Sequence, residues 1–291
     1  MGGSTTFGIG TGPANTYPSH LKGLMKVYAN SHPDKKYEII NAGICGNTTF
    51  GMLYQLDRTD IFHSSAPKGG FAHLRFPPKN VNYTLLDLKP DIVVLAPMFN
   101  DLYYGFASQG IMPSSTKFSD RAAYFYYFQQ YLESTDIVKY NAIGYYMDQI
   151  YHIITDKIHA GIITKAEGPD DNKKTLMSDY KKRLTSVIEK LLNNGVKVVL
   201  VQFPYQPTNK GADSMEEIYR IDNKILKEMS SRYSLPFIDL MKDNQNQYEQ
   251  PDYWYDFVHP SAYGYNDYAV KIFNRLFEPK PNKNAKNDYL N

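Results

Sequence analysis

Cysteine, tryptophan and net charge are all scarce in this chain of 291 residues. The one cysteine, Cys45, excludes an intramolecular disulfide and a cysteine-based metal cluster. The formal net charge is +2 with 21% charged residues, a balance in which nothing points to nucleic acid. No apolar run reaches the length of a membrane span, and the first residues carry no signal peptide. Aromatic content comes from 26 Tyr and 15 Phe beside the single Trp. Tyrosine joins apolar area to a polar tip. The reading is that core and helix faces use Tyr where other proteins use Leu.

A strand before the first turn is also lacking. The chain opens MGGSTTFGIG, a small-residue turn of the kind that joins a strand to a helix. Only Met1, Gly2 and Gly3 precede Ser4. A similar turn, GNTTFG, recurs at residues 46–51.

Past that opening, strand and helix patterns alternate. Residues 14–29 read as a helix, with Pro18 in its first turn and Leu21, Leu24, Met25 and Tyr28 on one face. Tyr37 to Ile40 reads as a short strand ending at a glycine turn. Ile92 to Leu95 is an unbroken apolar run after Pro90, as in sheets covered on both faces. Residues 176–193 read as a helix stopped by Asn194-Gly195, and the strand VKVVLV follows. A helix over 215–232, the short strand in LPFIDL and a helix over 263–277 complete the pattern. The alternation predicts an α/β class with a mostly parallel sheet. Residues 1–277 are expected to form one domain, with insertions at 57–83 and 101–175 forming walls or lids near the open end of the sheet. The tail 278–291 is polar and rich in Lys and Asn, and is expected to be disordered.

Ligands of an open parallel sheet bind beyond the carboxyl ends of its strands. Ser4, Gly46, the pair Asn100-Asp101 and the stretch DFVHP at 256–260 all fall at such places. A serine hydroxyl needs a base to take its proton, and His259 is the best one available. Asp256, three residues earlier, is spaced to accept from the imidazole Nδ1–H. An oxyanion formed on an ester would need fixed donors. The candidates are the backbone N–H groups of Ser4 and Gly46 and the side-chain amide of Asn100, each able to supply about 3 kcal/mol.

In order and spacing, GGSTTFG, NAGICGNTTFG, PDIVVLAPMFND and DFVHPSAYGY resemble the conserved blocks of the SGNH/GDSL hydrolases. The resemblance covers residues 1–56, 84–101 and 176–277. It implies Ser4 as nucleophile and oxyanion donor, Gly46 and Asn100 as the other donors, His259 as base and Asp256 as its orienter. It also implies a three-layer α/β/α fold with a flavodoxin-like, five-stranded parallel sheet, and no cofactor. The implied partner is a small-molecule or carbohydrate ester.

The chain departs from the family pattern at three places. Gly3 stands where the G-D-S version has Asp, and Met98-Phe99 replaces a glycine-containing pair before Asn100. The apolar strand that should precede Ser4 is absent, so the expectation is an N-terminally truncated chain whose missing part could also have held a signal or anchor. A Ser4 so near the chain end is expected to be frayed. His63 and His73 flank a Gly/Pro loop with no third metal ligand at helix spacing. His152 and His159 read as a half-buried helical pair, and Lys173-Lys174 and Lys181-Lys182-Arg183 as a solvated helix face. Three functions stay open on the sequence. One is an esterase releasing a small acyl group such as acetyl, possibly from a carbohydrate. The second is an O-acyltransferase with the same triad, and the third an inactive binding module.

Overall fold

The structure, a computed structural model, describes residues 1–44, 47–56, 84–97, 100–102, 169–207, 212–242 and 245–277. The insertion 57–83 and most of the 101–175 insertion lie outside those residues. So do Cys45, Gly46, Met98, Phe99, the four histidines just named and the tail.

Three strands pair in parallel: β1 (Ile92–Leu95), β2 (Lys197–Gln202) and β3 (Phe237–Asp239). Val94 stands opposite Val199, and Val201 opposite Ile238. β2 is buried along all but its first residue, which accounts for its apolar run. Beyond β1 the order continues without a full ladder. Gly2 bridges in parallel to Ala96 on one side and to Gly43 on the other. The five positions thus run Gly43 segment, Met1-Gly2, β1, β2, β3, the flavodoxin-like order.

Met1 and Gly2 occupy the place of the first strand. The Met1 α-amine donates to the Val94 carbonyl at 2.9 Å, and Ala96 N–H donates to the Met1 carbonyl at 3.0 Å. Burial pushes the pKa of that amine down to about 5. The strand expected at Tyr37–Ile40 does not form, and its segment makes one bridge, at Gly43. Two residues in the neighbouring lane supply too few partners for a ladder.

Six α-helices are described: α1 (Ser4–Phe7), α2 (Tyr17–Asn30), α3 (Thr49–Leu56), α4 (Pro169–Asn193), α5 (Ala212–Tyr233) and α6 (Ala262–Leu276). α2 packs against α6 on one face of the sheet, while α3 packs against α4 on the other. α4 begins at Pro169, seven residues before the expected start at 176, and so takes in the end of the 101–175 insertion. It ends where Gly195 turns left-handed at φ 75° and Val196 N–H donates to the Leu191 carbonyl. Tyr180, Tyr248, Tyr253, Tyr265 and Tyr268 are fully buried, so tyrosine does serve as core. Four of the five direct their hydroxyls to protein acceptors: Asp222, the Leu240 carbonyl, Asp267 and the Ile9 carbonyl.

Candidate active site

Ser4 opens α1, with Gly3 as its cap. Phe7 N–H donates to the Gly3 carbonyl at 2.9 Å, and Gly8 N–H to the Ser4 carbonyl at 2.8 Å. Gly8 ends the helix at φ 103°, a left-handed conformation that glycine adopts without steric cost. Ser4 is therefore not frayed: it is buried, 8% exposed, within a closed turn. Its N–H lies in a first turn, where a helix supplies no acceptor.

The loop before α6 folds back on itself. Asp256 Oδ1 accepts the backbone N–H groups of Val258 at 2.9 Å and His259 at 2.8 Å. Tyr255 and Asp256 N–H both donate to the His259 carbonyl, at 2.8 and 3.2 Å. Gln206 N–H, in the turn after β2, donates to the Phe257 carbonyl at 2.9 Å and ties the loop to the sheet. The Tyr265 hydroxyl, on α6, donates to the Ile9 carbonyl at 2.9 Å and ties it to the turn after α1.

This folding brings Ser4 into line with the two side chains of the distant loop. His259 Nδ1 lies 2.6 Å from Asp256 Oδ2, and His259 Nε2 lies 2.7 Å from Ser4 Oγ. Burial alone would raise the Asp256 carboxyl. The hydrogen bonds from the imidazole and from the two backbone N–H groups outweigh it and hold the carboxyl below its ordinary value. An ionised carboxylate only accepts, so Nδ1 carries the proton and Nε2 is left as an acceptor. The Ser4 hydroxyl then donates to Nε2. That arrangement can take a proton from Ser4 as its oxygen attacks an electrophile.

The third strand-end turn carries Asn100. Its side-chain amide donates to the Asn47 carbonyl at 2.8 Å, which uses one of its two N–H bonds. Gly46 lies outside the described residues, but its flanks are held. Ile44 N–H donates to the Gly2 carbonyl at 3.1 Å and Asn47 N–H to the Ile44 carbonyl at 3.0 Å. Among the described residues, no group of three His, Cys, Asp or Glu side chains is placed to hold a metal ion. No helix among them is long and apolar enough to cross a membrane.

Two residues have more to do than their sequence context indicated. Asp101 is buried, and its carboxylate accepts both the N–H of Thr49, at 2.8 Å, and the Thr49 hydroxyl, at 2.6 Å. It caps α3 from another part of the chain. Arg183, expected on a solvated face, turns inward to Asp101 Oδ1 at 3.1 Å and to the Thr49 hydroxyl at 3.1 Å. Its neighbours keep the expected exposure: Lys182 is paired loosely with Asp179 at 3.8 Å, and Lys181 with Glu228. The available signal was position, because Arg183 stands beside Leu184 and one turn after Tyr180, both fully buried.

The family model of the GDSL-like lipases and acylhydrolases matches residues 1–266. The chain belongs to that family. Among solved structures it is similar to an acetyl xylan esterase, AlAXEase, at 17% identity and a TM-score of 0.51, over 94% of this chain and 96% of that one. It is also similar to a protein of Bacteroides fragilis NCTC 9343 assigned to the acylhydrolases, at 16% identity and a TM-score of 0.41, over 87% and 82% of the two chains. No curated protein matches it. The family is one of ester-cleaving enzymes, and the α/β/α fold is that of the acetyl xylan esterase.

Proposed function

We propose that this chain is a serine hydrolase that cleaves a carboxylic ester through an acyl-enzyme on Ser4. The observation that carries the reading is the unbroken relay from Ser4 Oγ through His259 to Asp256, with contacts of 2.7 and 2.6 Å. Ser4 Oγ attacks the ester carbonyl carbon while its proton passes to His259 Nε2. Asp256 accepts from Nδ1–H throughout, fixing the tautomer and stabilising the imidazolium. The tetrahedral oxyanion takes hydrogen bonds from the N–H groups of Ser4 and Gly46 and from the free N–H of the Asn100 amide. His259 then returns its proton to the departing alkoxide, and the alcohol leaves. In the second half, His259 takes a proton from water, the hydroxide adds to the acyl carbon, and the carboxylic acid departs as Ser4 regains its proton.

The substrate read here is a small acyl ester, acetyl in the first instance, on a carbohydrate alcohol. The substrate class is suggested by the name of the acetyl xylan esterase that shares the fold. Residues 1–277 are read as one hydrolase domain, with the segments 57–83 and 101–175 as insertions outside the motif blocks.

The test is hydrolysis of p-nitrophenyl acetate and of acetylated xylo-oligosaccharides by the wild type and by Ser4→Ala, alongside labelling with a fluorophosphonate. Turnover and labelling that both vanish in Ser4→Ala support the reading. Equal turnover in the two proteins refutes it. Acetyl transfer to an added sugar in preference to water would instead identify an acyltransferase.

A further inference from the structure

Asn100 and Asp101 are neighbours, and together they grip two positions of one facing turn. Asn100 holds the Asn47 carbonyl, and Asp101 holds both the N–H and the hydroxyl of Thr49. The Asn47 side chain in turn donates to Gln55 at 2.8 Å, and Gln55 donates to the Ala42 carbonyl at 3.2 Å. Asn47, Thr49, Asn100 and Asp101 are all buried. A buried charge is costly when it is left unpaired. Arg183 supplies the partner, and its fork reaches both members of the grip at once, Nε to the Thr49 hydroxyl and a terminal nitrogen to Asp101.

We infer that Arg183 is a positioning residue for oxyanion stabilisation, acting through Asp101 and Thr49 on the placement of Asn100. This rests on the reading of the chain as a serine hydrolase. Arg183 lies on α4, between β1 and β2, and touches none of Ser4, His259 or Asp256 through any hydrogen bond described above. The role needs the planar fork rather than the charge alone. A lysine carries the charge on a single nitrogen and cannot reproduce two contacts fixed in one plane. Loss of the fork lets the Asn100 turn and the Thr49 turn shift against one another. Donors aimed at a transition state lose much of their effect when displaced by a fraction of an ångström.

The experiment compares wild type, Arg183→Lys, Arg183→Met and, as control, Lys182→Met, whose lysine is 76% exposed. Each protein is titrated with a fluorophosphonate to count reactive Ser4, and kcat and KM for p-nitrophenyl acetate are expressed per labelled site. Arg183→Lys keeps the buried charge compensated, so it decides the matter if Arg183→Met fails to fold. The expected result is kcat per labelled site about tenfold to a hundredfold lower in Arg183→Lys, with KM within about twofold of wild type and the control unchanged. A purely structural role would instead lower the melting temperature and the number of labelled sites, leaving kcat per site untouched. Labelled Arg183 variants with wild-type kcat per site would overturn the inference alone. A wild type that neither labels nor turns over would overturn the hydrolase reading, and the role of Arg183 with it.

Discussion

The backbone of Gly43 lies so close to Phe7 that a Cβ on Gly43 would stand 2.3 Å from the Phe7 amide nitrogen and 2.5 Å from the Thr6 carbonyl carbon. Both obstacles are backbone of α1, the helix that Ser4 opens. Neither can swing aside as a side chain would. Gly43→Ala must therefore push α1 away from the Gly43 segment and move Ser4 relative to His259. We expect a loss of about 1–3 kcal/mol in stability from overpacking and a fall in kcat of at least about tenfold from the displaced nucleophile. Denaturant titration and steady-state kinetics on the same preparation check both parts.

Truncating the two partners of Ser4 should cost unequal amounts. His259→Ala removes the base that, among the described residues, the Ser4 hydroxyl contacts. Asp256→Ala leaves that base in place but frees its tautomer and unties three hydrogen bonds of the loop. The histidine variant should be slower than the aspartate variant by roughly tenfold to a hundredfold in kcat. Equal and negligible losses would remove the triad from consideration.

One buried carboxyl should contribute less to stability as pH rises from about 4 to about 7, while the Met1 amine, held down at about 5, works in the opposite sense from about 5 to about 8. Asp222, on α5, is 1% exposed and shares hydrogen bonds with the Tyr180 hydroxyl at 2.5 Å and the Gln202 amide at 3.2 Å. Burial first, and the negative charge of Asp101 as well, raise its pKa to about 7 against the opposing pull of those hydrogen bonds. Across that window the folded chain binds a proton that the unfolded chain has already released. The Asp222 contribution is thus fully present at pH 4 and is lost as pH passes 7. The urea midpoint at pH 7.5 relative to that at pH 5 should be higher in Asp222→Asn than in the wild type, because the substitution removes the contribution that falls across that window and leaves the Met1 one.

Tyr265→Phe should act mildly and locally. It removes the hydrogen bond to the Ile9 carbonyl and leaves that carbonyl without the tyrosine hydroxyl. The expected cost is about 1 kcal/mol, equivalent to a melting point lower by roughly 2–4 °C. Calorimetry reads this directly.

Much of this architecture was legible before any coordinates. The run Ile92–Leu95 announced a strand because a strand covered on both faces needs no polar residue. Ser4, Asp256 and His259 were legible because each stood in a turn where the α/β layout puts ligands. The failures have physical causes too. Tyr37–Ile40 has the composition of a strand, but a strand is made by its neighbour, and the next lane holds only Met1 and Gly2. Arg183 sits in a run of three cations, and composition cannot say which of three adjacent side chains turns inward. The start of α4 at Pro169 was hidden because Asp170, Asp171, Asn172, Lys173 and Lys174 add polar residues and no apolar stripe.

The first atom of the chain is not at the surface. The Met1 amine is buried between the Gly43 segment and β1, bonded to Val94 and shifted toward its uncharged form at neutral pH. An affinity tag fused ahead of Met1 would have to leave through the middle of the sheet, in the lane that leads straight to Ser4. Residues fused ahead of Met1 are therefore expected to change specific activity, because they would share the lane that sets the position of Ser4.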